Sequence, residues 1–233
     1  MIYVTSDLHG WPVEKFLALL DRAGFSHDDT LYVLGDVIDR GPEGPELLMW
    51  MARQENVRLL LGNHEAFMLG CKEILFPAKG SKGPSRDAVW MLRNWMANGG
   101  EVTLEGLRWW LEQEPDLVEE IFAYVEKAPL YAVETVGEKK YILVHAGLGN
   151  FRKEKPLEDN TQEELIWTRD MPDVEYFDDA TVIFGHTPTI FFGEQYLGRP
   201  LVTRTRICID TGAACGLSPM VLRLEDGKMV FDE

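Results

Sequence analysis

Four of the five histidines in this 233-residue chain follow an apolar run directly or within four residues. Each is also within two positions of glycine, aspartate or asparagine. They occur as His9 in "SDLHG", His64 in "GNHE", His145 in "VHAG" and His186 in "FGHT". Imidazole nitrogens mixed with carboxylate and amide oxygens suit divalent transition metals, and the mixture favours manganese, iron or zinc over calcium. The histidines therefore indicate a metal site.

Metal-type ligands also stand where five predicted strands give way to loops, at Asp7, Asp36, Asn63, His145 and His186. Ligands of open α/β sheets bind outside the carboxyl ends of the strands. Asp7 and His9 are two positions apart, so in extended backbone both side chains point to one face. The set is too large to surround one ion. Two ions about 3.5 to 4 Å apart that share a carboxylate form an arrangement that hydrolyses phosphate esters, and this is the chemistry we predict.

Each residue taken alone has an ordinary structural explanation. A single histidine after a strand is more often a core or turn residue than a ligand. The stretch "GDVIDRG" at 35–41 has the composition of a turn, and Asn63 with Glu65 fits the start of a helix. Their joint occurrence favours a site, because the probability that all of them arise independently is the product of the single probabilities. The competing phosphate-binding patterns G-x-x-x-x-G-K-[ST] and G-x-G-x-x-G are absent from the sequence.

Composition and charge limit the possible partners. Hydrophobic residues make up 45% of the chain and charged residues 27%, which is ordinary for a globular protein. The formal net charge of -16 argues against the phosphate-neutralising surface of nucleic-acid binders. We therefore expect no nucleic-acid partner. An anionic substrate has to be attracted locally, by a few arginines or by metal ions.

The chain has no apolar run of the length that a membrane span needs. Its first residues lack the basic start and apolar middle of a signal peptide. We therefore expect no membrane partner and a cytoplasmic location. The three cysteines, Cys71, Cys208 and Cys215, form no C-x-x-C pair and are predicted to be free thiols packed inside the protein.

The elements that must position these residues follow from hydrophobic patterning. Strands are predicted at 2–5, 30–34 and 57–61, alternating with helices near 12–23 and 43–54. This βαβαβ start predicts parallel strands with helices packed on them. Residues 86–127 are predicted to be mostly helical, with four tryptophans as apolar mass, and the later strands suggest a second, mixed sheet. We read one domain over 1–233 with a helical insertion at about 86–127.

Five blocks then carry a resemblance to a known family. "DLHG" at 7–10, "GDVIDRG" at 35–41, "GNHE" at 62–65, "HAG" at 145–147 and "GHT" at 185–187 resemble the calcineurin-like metallophosphoesterases, in the phosphoprotein phosphatase branch. "NWMANGGEVTL", "LIWTRD" and "CIDTGAACG" are similar to blocks of small bacterial and phage serine/threonine phosphatases. The resemblance implies an α/β fold in which two mixed β-sheets pack as a sandwich flanked by helices.

The resemblance also implies roles for individual residues. Asp7 and His9 would hold a first metal ion and Asp36 would bridge both ions, most readily Mn²⁺, with iron or zinc possible. Asn63, His145 and His186 would hold the second ion. Arg40 and Arg169 would bind phosphate oxygens, and His64, oriented by Asp39, would protonate the leaving group. A water activated between the ions would attack phosphorus directly.

Three functions are weighed on this basis. The first is a dimetal phosphomonoesterase, specifically a serine/threonine protein phosphatase acting on a phosphorylated protein or a small phosphoester. Its alternative is a symmetrical dinucleoside tetraphosphate hydrolase, whose motif blocks are nearly the same. A binding module with a degenerate site is disfavoured because no expected ligand is missing. The basic loop 77–86 is interpreted as solvated surface rather than a substrate-binding lip, and Asp210 either orients a ligand or completes a turn.

Overall fold

The structure is a computed structural model that describes residues 1–169 and 175–232. Its strands are β1 (Ile2–Thr5), β2 (Thr30–Val33), β3 (Val57–Leu59), β4 (Tyr131–Val136), β5 (Lys139–Val144), β6 (Ala180–Phe184), β7 (Leu201–Val202), β8 (Arg206–Cys208), β9 (Met220–Arg223) and β10 (Met229–Phe231). Its α-helices are α1 (Val13–Ala23), α2 (Gly44–Ala52), α3 (Asn63–Gly70), α4 (Lys72–Leu75), α5 (Arg86–Ala97), α6 (Glu101–Gln113), α7 (Pro115–Val125) and α8 (Gln162–Ile166).

The strands form two mixed sheets of five strands each. The first has the order β10-β9-β1-β2-β3, with β1, β2 and β3 parallel and β9 and β10 antiparallel to their neighbours. The second has the order β4-β5-β6-β8-β7, in which β5, β6 and β8 are parallel and both edge strands are antiparallel. The predicted βαβαβ start and the second, mixed sheet are both confirmed.

Alternation along the strands explains why the two sheets pack face to face. Val4, Tyr32 and Leu143 belong to one buried cluster, which contains residues of both sheets. Their chain neighbours Tyr3 and Val144 belong to the larger cluster that packs against the helices. Successive side chains of a strand point to opposite faces, so one face of each sheet meets the other sheet and the opposite face meets helices. The predicted sandwich with flanking helices is therefore confirmed.

The segment predicted as helical, 86–127, consists of three helices, α5, α6 and α7. The turn after α5 contains Gly99 and Gly100, and α7 starts with Pro115 at a position where its missing N–H costs nothing. The tryptophans predicted as apolar mass differ in exposure. Trp95 is fully buried, whereas Trp90 is 61% exposed and Trp109 is 54% exposed. Two of the four therefore point away from the helix-packing faces.

Surface features follow the sequence prediction with one correction. Residues 77–86 are exposed throughout, as expected for a solvated loop. Cys71 and Cys208 are buried free thiols, but Cys215 is exposed, so its predicted packing role is wrong. Cys215 ends a 3-10 turn between Gly212 and Gly216, both in left-handed backbone, and the turn lies at the surface.

No helix of the described residues has the length and apolar character needed to cross a membrane.

Candidate metal centre and catalytic dyad

The carboxyl ends of the inner strands converge at one edge of the sandwich. Seven of the predicted site residues meet there and are buried: Asp7, His9, Asp36, Asn63, His64, His145 and His186. The first three follow β1 and β2, the next two begin α3 after β3, and the last two follow β5 and β6. Parallel strands end at the same edge, so residues far apart in sequence gather at one place.

The loops after β1 and β2 have a costly backbone conformation. Among the described residues, seven non-glycine residues have positive φ, and six of them belong to this edge: Asp7, His9, Asp36, Asp39, Arg40 and His186. Each such residue costs of the order of 1–3 kcal/mol and persists only where its surroundings enforce it. Backbone bonds between the two loops do so, including the His9 N–H to the Asp36 carbonyl at 2.9 Å.

Two glycines allow those loops to touch. A Cβ on Gly10 would lie 2.2 Å from the carbonyl oxygen of Gly41, and a Cβ on Gly41 would lie 2.5 Å from that of Gly10. No side chain fits at either position without moving backbone. The glycines that close "DLHG" and "GDVIDRG" are therefore required by the contact between the loops.

Glu65 holds the "GDVIDRG" loop and was not predicted as a site residue. Its buried carboxylate accepts the backbone N–H groups of Asp36 at 2.8 Å, Val37 at 2.9 Å and Ile38 at 3.4 Å. Burial raises the pKa of this carboxyl. The sequence shows only an acid in the first turn of a helix, which is its ordinary place, and the bonds depend on β2 and β3 lying side by side.

A first pocket is formed by His9, Asp36 and His64, whose ligand atoms all lie within 4.8 Å of one another. His9 Nδ1 donates to the Ile38 carbonyl at 3.1 Å, which leaves Nε2 as an acceptor. Arg40 donates to that Nε2 at 3.0 Å and approaches His64 Nε2 at 3.3 Å. Burial, followed by the nearby His64, lowers the pKa of His9 well below its usual value. The pocket therefore presents imidazole lone pairs to a positive group.

A second pocket is formed by Asp36, His145 and His186, again with ligand atoms within 4.8 Å of one another. His145 Nδ1 donates to the Leu34 carbonyl at 2.6 Å, so its Nε2 is an acceptor. That nitrogen lies 3.0 Å from Asn63 Oδ1 and 3.4 Å from Asp36 Oδ1, which are oxygens that only accept. His186 Nε2 is buried and has no hydrogen-bond partner among the described residues.

The second pocket thus fits a divalent cation. Burial lowers the pKa of His145 to about 3 and also lowers the pKa of His186. Burial raises the pKa of Asp36, as do the neighbouring Asp7 and Glu65 carboxylates. Neutral imidazoles and a crowded carboxylate are costly to bury without a positive charge. Asp36 belongs to both groups, so the residues could hold two ions with one shared ligand.

Asp7 lies in neither compact group. Both of its oxygens accept the backbone N–H of His186, at 3.0 and 2.9 Å. Its pKa is raised by burial and then by the charge of Asp210. Asp210 is itself buried, accepts the Gly212 N–H at 3.0 Å, and has its pKa raised to about 7 by burial. Asp210 thus completes a turn, and its charge acts on Asp7; its use in orienting a metal ligand stays a prediction.

The Asp39–His64 contact is present. Asp39 Oδ2 lies 2.5 Å from His64 Nδ1 across 25 positions of sequence. The indole N–H of Trp95 donates to both oxygens of Asp39, at 3.0 and 2.8 Å, and the Asp39 N–H donates to Thr103 at 2.9 Å. Trp95 was predicted only as apolar mass. Its partner is 56 positions away, and no local pattern reveals a contact at that separation.

The two predicted phosphate-binding arginines are both exposed. Arg40 is held by its backbone N–H, which donates to the Gly99 carbonyl at 3.0 Å. Arg169 is close enough for its charge to lower the pKa of His145, after burial and the charge of His64, and the pKa of His186, after burial and the charge of His145. The block "LIWTRD" extends to residue 170, which lies outside the described residues.

Comparisons with known proteins agree with this geometry. A symmetrical bis(5'-nucleosyl)-tetraphosphatase of Neisseria gonorrhoeae (strain NCCP11945) is 41% identical over 75 residues, which are 30% of this chain and 27% of that protein. The enzyme of the same name from Paracidovorax citrulli (strain AAC00-1) is 30% identical over 149 residues, 63% of this chain and 44% of that one. The chain thus spans less than half the length of these curated relatives.

A solved structure supports the fold. The crystal structure of a candidate diadenosine tetraphosphatase has a TM-score of 0.65 and 17% identity, and covers 99% of this chain and 91% of its own. The family described as calcineurin-like phosphoesterase matches residues 1–214. Because this match spans most of the sequence, the chain belongs to the calcineurin-like phosphoesterase family.

Proposed function

We propose that the protein is a dimetal hydrolase of symmetrical dinucleoside tetraphosphates. The observation that carries the proposal is Asp36, whose carboxylate belongs to both ligand groups at the end of the sandwich. The names of the matched relatives support this substrate over the phosphoprotein that was ranked first from sequence. The two classes share their motif blocks, so the motifs alone do not separate them. The order of the two candidates therefore changes with the names of the relatives.

We assign the ligand roles as the family resemblance implies, and place Asp7 in the first set although it lies outside the compact group of His9, Asp36 and His64. Asp7, His9 and Asp36 would hold the first ion, and Asp36, Asn63, His145 and His186 the second; Mn²⁺ fits this mixture of oxygen and nitrogen atoms. When bound, two such ions supply an acidified water and neutralise charge on the phosphate oxygens. His9 and His145 are prepared for this role, because each uses Nδ1 in a bond to a backbone carbonyl and presents Nε2.

The remaining side chains act on the substrate. Arg40 and Arg169 bind phosphate oxygens, for which the guanidinium fork is suited. His64 delivers a proton to the leaving oxygen from Nε2, while Asp39 fixes its Nδ1. Trp95 is a positioning residue in this scheme, because its indole N–H holds the Asp39 carboxylate.

One observation favours the second candidate, a serine/threonine protein phosphatase. The buried Asp39–His64 pair could act as the general acid that a poor alkoxide leaving group needs. A nucleoside diphosphate leaves far more easily than a serine alkoxide, so a general acid is less important for anhydride cleavage. The dyad therefore keeps the phosphatase as the alternative.

Parallel rate measurements with added Mn²⁺ test the proposal. Diadenosine tetraphosphate, a phosphoserine or phosphothreonine peptide, and a phosphotyrosine peptide are compared at equal enzyme concentration. We expect kcat/KM for the dinucleotide to exceed that for every peptide at least tenfold, with ADP as the only nucleotide product. The matched control is Asp36→Asn from the same purification, which reports contaminating activity. A preference for the phosphoserine or phosphothreonine peptide would put the phosphatase first.

A further inference from the structure

An aromatic groove of about 490 Å³ opens beside the second pocket. We use "aromatic groove" for the cleft lined by Phe67 of α3, Trp90 and Met91 of α5, and Trp167 after α8. Asn63 lines the same cleft and stands 3.0 Å from His145. The groove is therefore continuous with the residues that face the second pocket.

The aromatic rings form a chain that leads away from the histidines. Trp167 lies with its ring centroid 6.0 Å from that of His186, and Phe67 lies 5.1 Å from Trp167 on the other side. Trp90 lines the same groove while 61% of its surface is exposed. Ligand clefts are lined mainly by apolar and aromatic side chains, so an exposed ring that lines a concave cleft is positioned to contact a ligand. Trp90 is placed where a flat ligand could cover it.

The polar residues of the groove suit the edge of a base. Asn94, one turn after Trp90 on α5, also lines the groove. One N–H of its amide donates to the Trp90 carbonyl at 2.8 Å, which fixes the amide and leaves its oxygen free to accept a hydrogen bond from a ligand. Glu163 adds a carboxylate to the lining, which accepts but does not donate. Acceptors of this kind match the exocyclic amino group of a purine such as adenine.

We propose that the aromatic groove binds a purine base of the nucleotide substrate, with Trp90 stacked on the face of the base. The inference rests on the proposed function for the identity of the ligand. Symmetrical cleavage leaves two phosphates on each nucleoside, so a base must lie beside the metal centre rather than in it. A groove that begins at Asn63 and runs outward past Trp167 has that relation to the centre.

The test uses Trp90→Ala in the Mn²⁺-loaded 233-residue chain. Loss of one base–aromatic stack should raise KM for diadenosine tetraphosphate about five- to hundredfold while kcat stays within about twofold. The inhibition constant of ADP should rise by a similar factor. That of inorganic phosphate, which has no base, should not. Trp90→Phe should recover most of the loss because it keeps an aromatic face.

Trp109→Ala is the matched control, because Trp109 is a comparably exposed tryptophan that does not line the groove. If Trp90→Ala matches this control while the dinucleotide is still cleaved, the groove inference is overturned and the proposed function stands. If ADP and phosphate weaken equally, the variant has damaged the metal centre and the inference is also overturned.

The two proposals can fail separately. If the protein does not cleave the dinucleotide, direct ADP binding is still measured by equilibrium dialysis. Weaker ADP binding in Trp90→Ala would then support the groove while the proposed function fails. A rise in KM for a phosphoserine peptide without any change for ADP would assign the groove to a peptide side chain and overturn the inference.

Discussion

The two pockets on either side of Asp36 use the same kinds of side chain but differ in what faces their lone pairs. In the first pocket, the guanidinium of Arg40 lies 3.0 Å from His9 Nε2 and 3.3 Å from His64 Nε2. In the second, His145 Nε2 faces the oxygens of Asn63 and Asp36. An ion bound in the first pocket would require Arg40 to move, whereas an ion bound in the second would lie beside these acceptor atoms.

This difference has two consequences. The second pocket should bind its ion more tightly, because no arginine or lysine of residues 1–169 or 175–232 donates a hydrogen bond to His145 Nε2 and would have to leave. An ion in the first pocket would require Arg40 to release His9 and His64, which would free the side chain proposed to bind a phosphate oxygen. Metal binding and the freeing of Arg40 would therefore be coupled in the first pocket.

Asp36→Asn tests whether the two pockets share one ligand. The substitution keeps the size of the side chain but removes the charge that both pockets use. We expect both ions to bind more weakly and kcat/KM to fall at least about a thousandfold, because metal ions supply several kcal/mol of transition-state stabilisation. Metal content after dialysis and turnover on diadenosine tetraphosphate measure the effect. Two tightly bound ions per chain in this variant would contradict the shared-ligand assignment.

His64→Asn decides what the first pocket contains. The side chain lies in the first ligand group, 3.7 Å from Asp36 Oδ2, and it also pairs with Asp39. If it is the proton donor, the variant keeps two ions and loses about 10²- to 10⁴-fold in rate on a phosphoserine peptide, with a smaller loss on the dinucleotide. Metal analysis and rates on both substrates are required. Loss of one ion would instead make His64 a ligand and leave Asp7 outside the pocket.

A matched pair of variants, His186→Gln and His9→Gln, tests the order of metal affinity. Titration of the metal-free protein with Mn²⁺ should show two steps in the unaltered chain. His9→Gln should keep the tighter step, and His186→Gln should lose it, with a change of at least about tenfold in that dissociation constant. The reverse pattern would mean that Arg40 does not weaken the first pocket.

The sequence predicts which side chains gather at this site better than it predicts how they are held. His145 and His186 end neighbouring parallel strands, so the rule for strand ends is sufficient to bring them together. The family was also evident from its five blocks and is confirmed by the match over residues 1–214. These features need only local sequence and a general rule of sheet topology.

The supporting contacts needed information that no local pattern contains. Glu65 bonds a loop 27 to 29 positions away, and Trp95 bonds Asp39 across 56 positions. The left-handed backbone of His9 and Asp36 cannot be read from sequence, because aspartate and histidine adopt it more often than most side chains but still rarely. The sequence ranked the phosphoprotein above the dinucleotide, whereas the names of the matched relatives favour the dinucleotide, and the motifs could not separate the two for a related reason. Both candidate classes need the same metal ligands, and the groove that could separate them is lined by Trp90, which was predicted only as apolar mass.

The smallest effect is expected at the wall behind the second pocket, where Glu164 supports α8. The carbonyls of Glu164 and Leu165 accept the N–H groups of Gly149 and Ala146, in the loop that follows His145. The Glu164 carboxylate completes a capping box with Thr161. Its bond from Lys155, then that from Asn150, lowers its pKa to about 2.

Glu164→Gln should therefore change stability in a pH-dependent way. A carboxyl whose pKa is depressed on folding stabilises the protein above its unfolded pKa of about 4.3, and that contribution disappears as the pH falls towards 2. Urea unfolding of the metal-free protein should show the variant to be less stable at pH 7 and converging with the parent below pH 4. Glu163→Gln, one residue earlier on α8, is the control. A gap that is constant across pH would mean that the glutamine has damaged packing rather than removed a charge. The Mn²⁺ affinity of the second pocket should change less than about threefold in Glu164→Gln, because Glu164 supports the loop after His145 and is not itself a ligand.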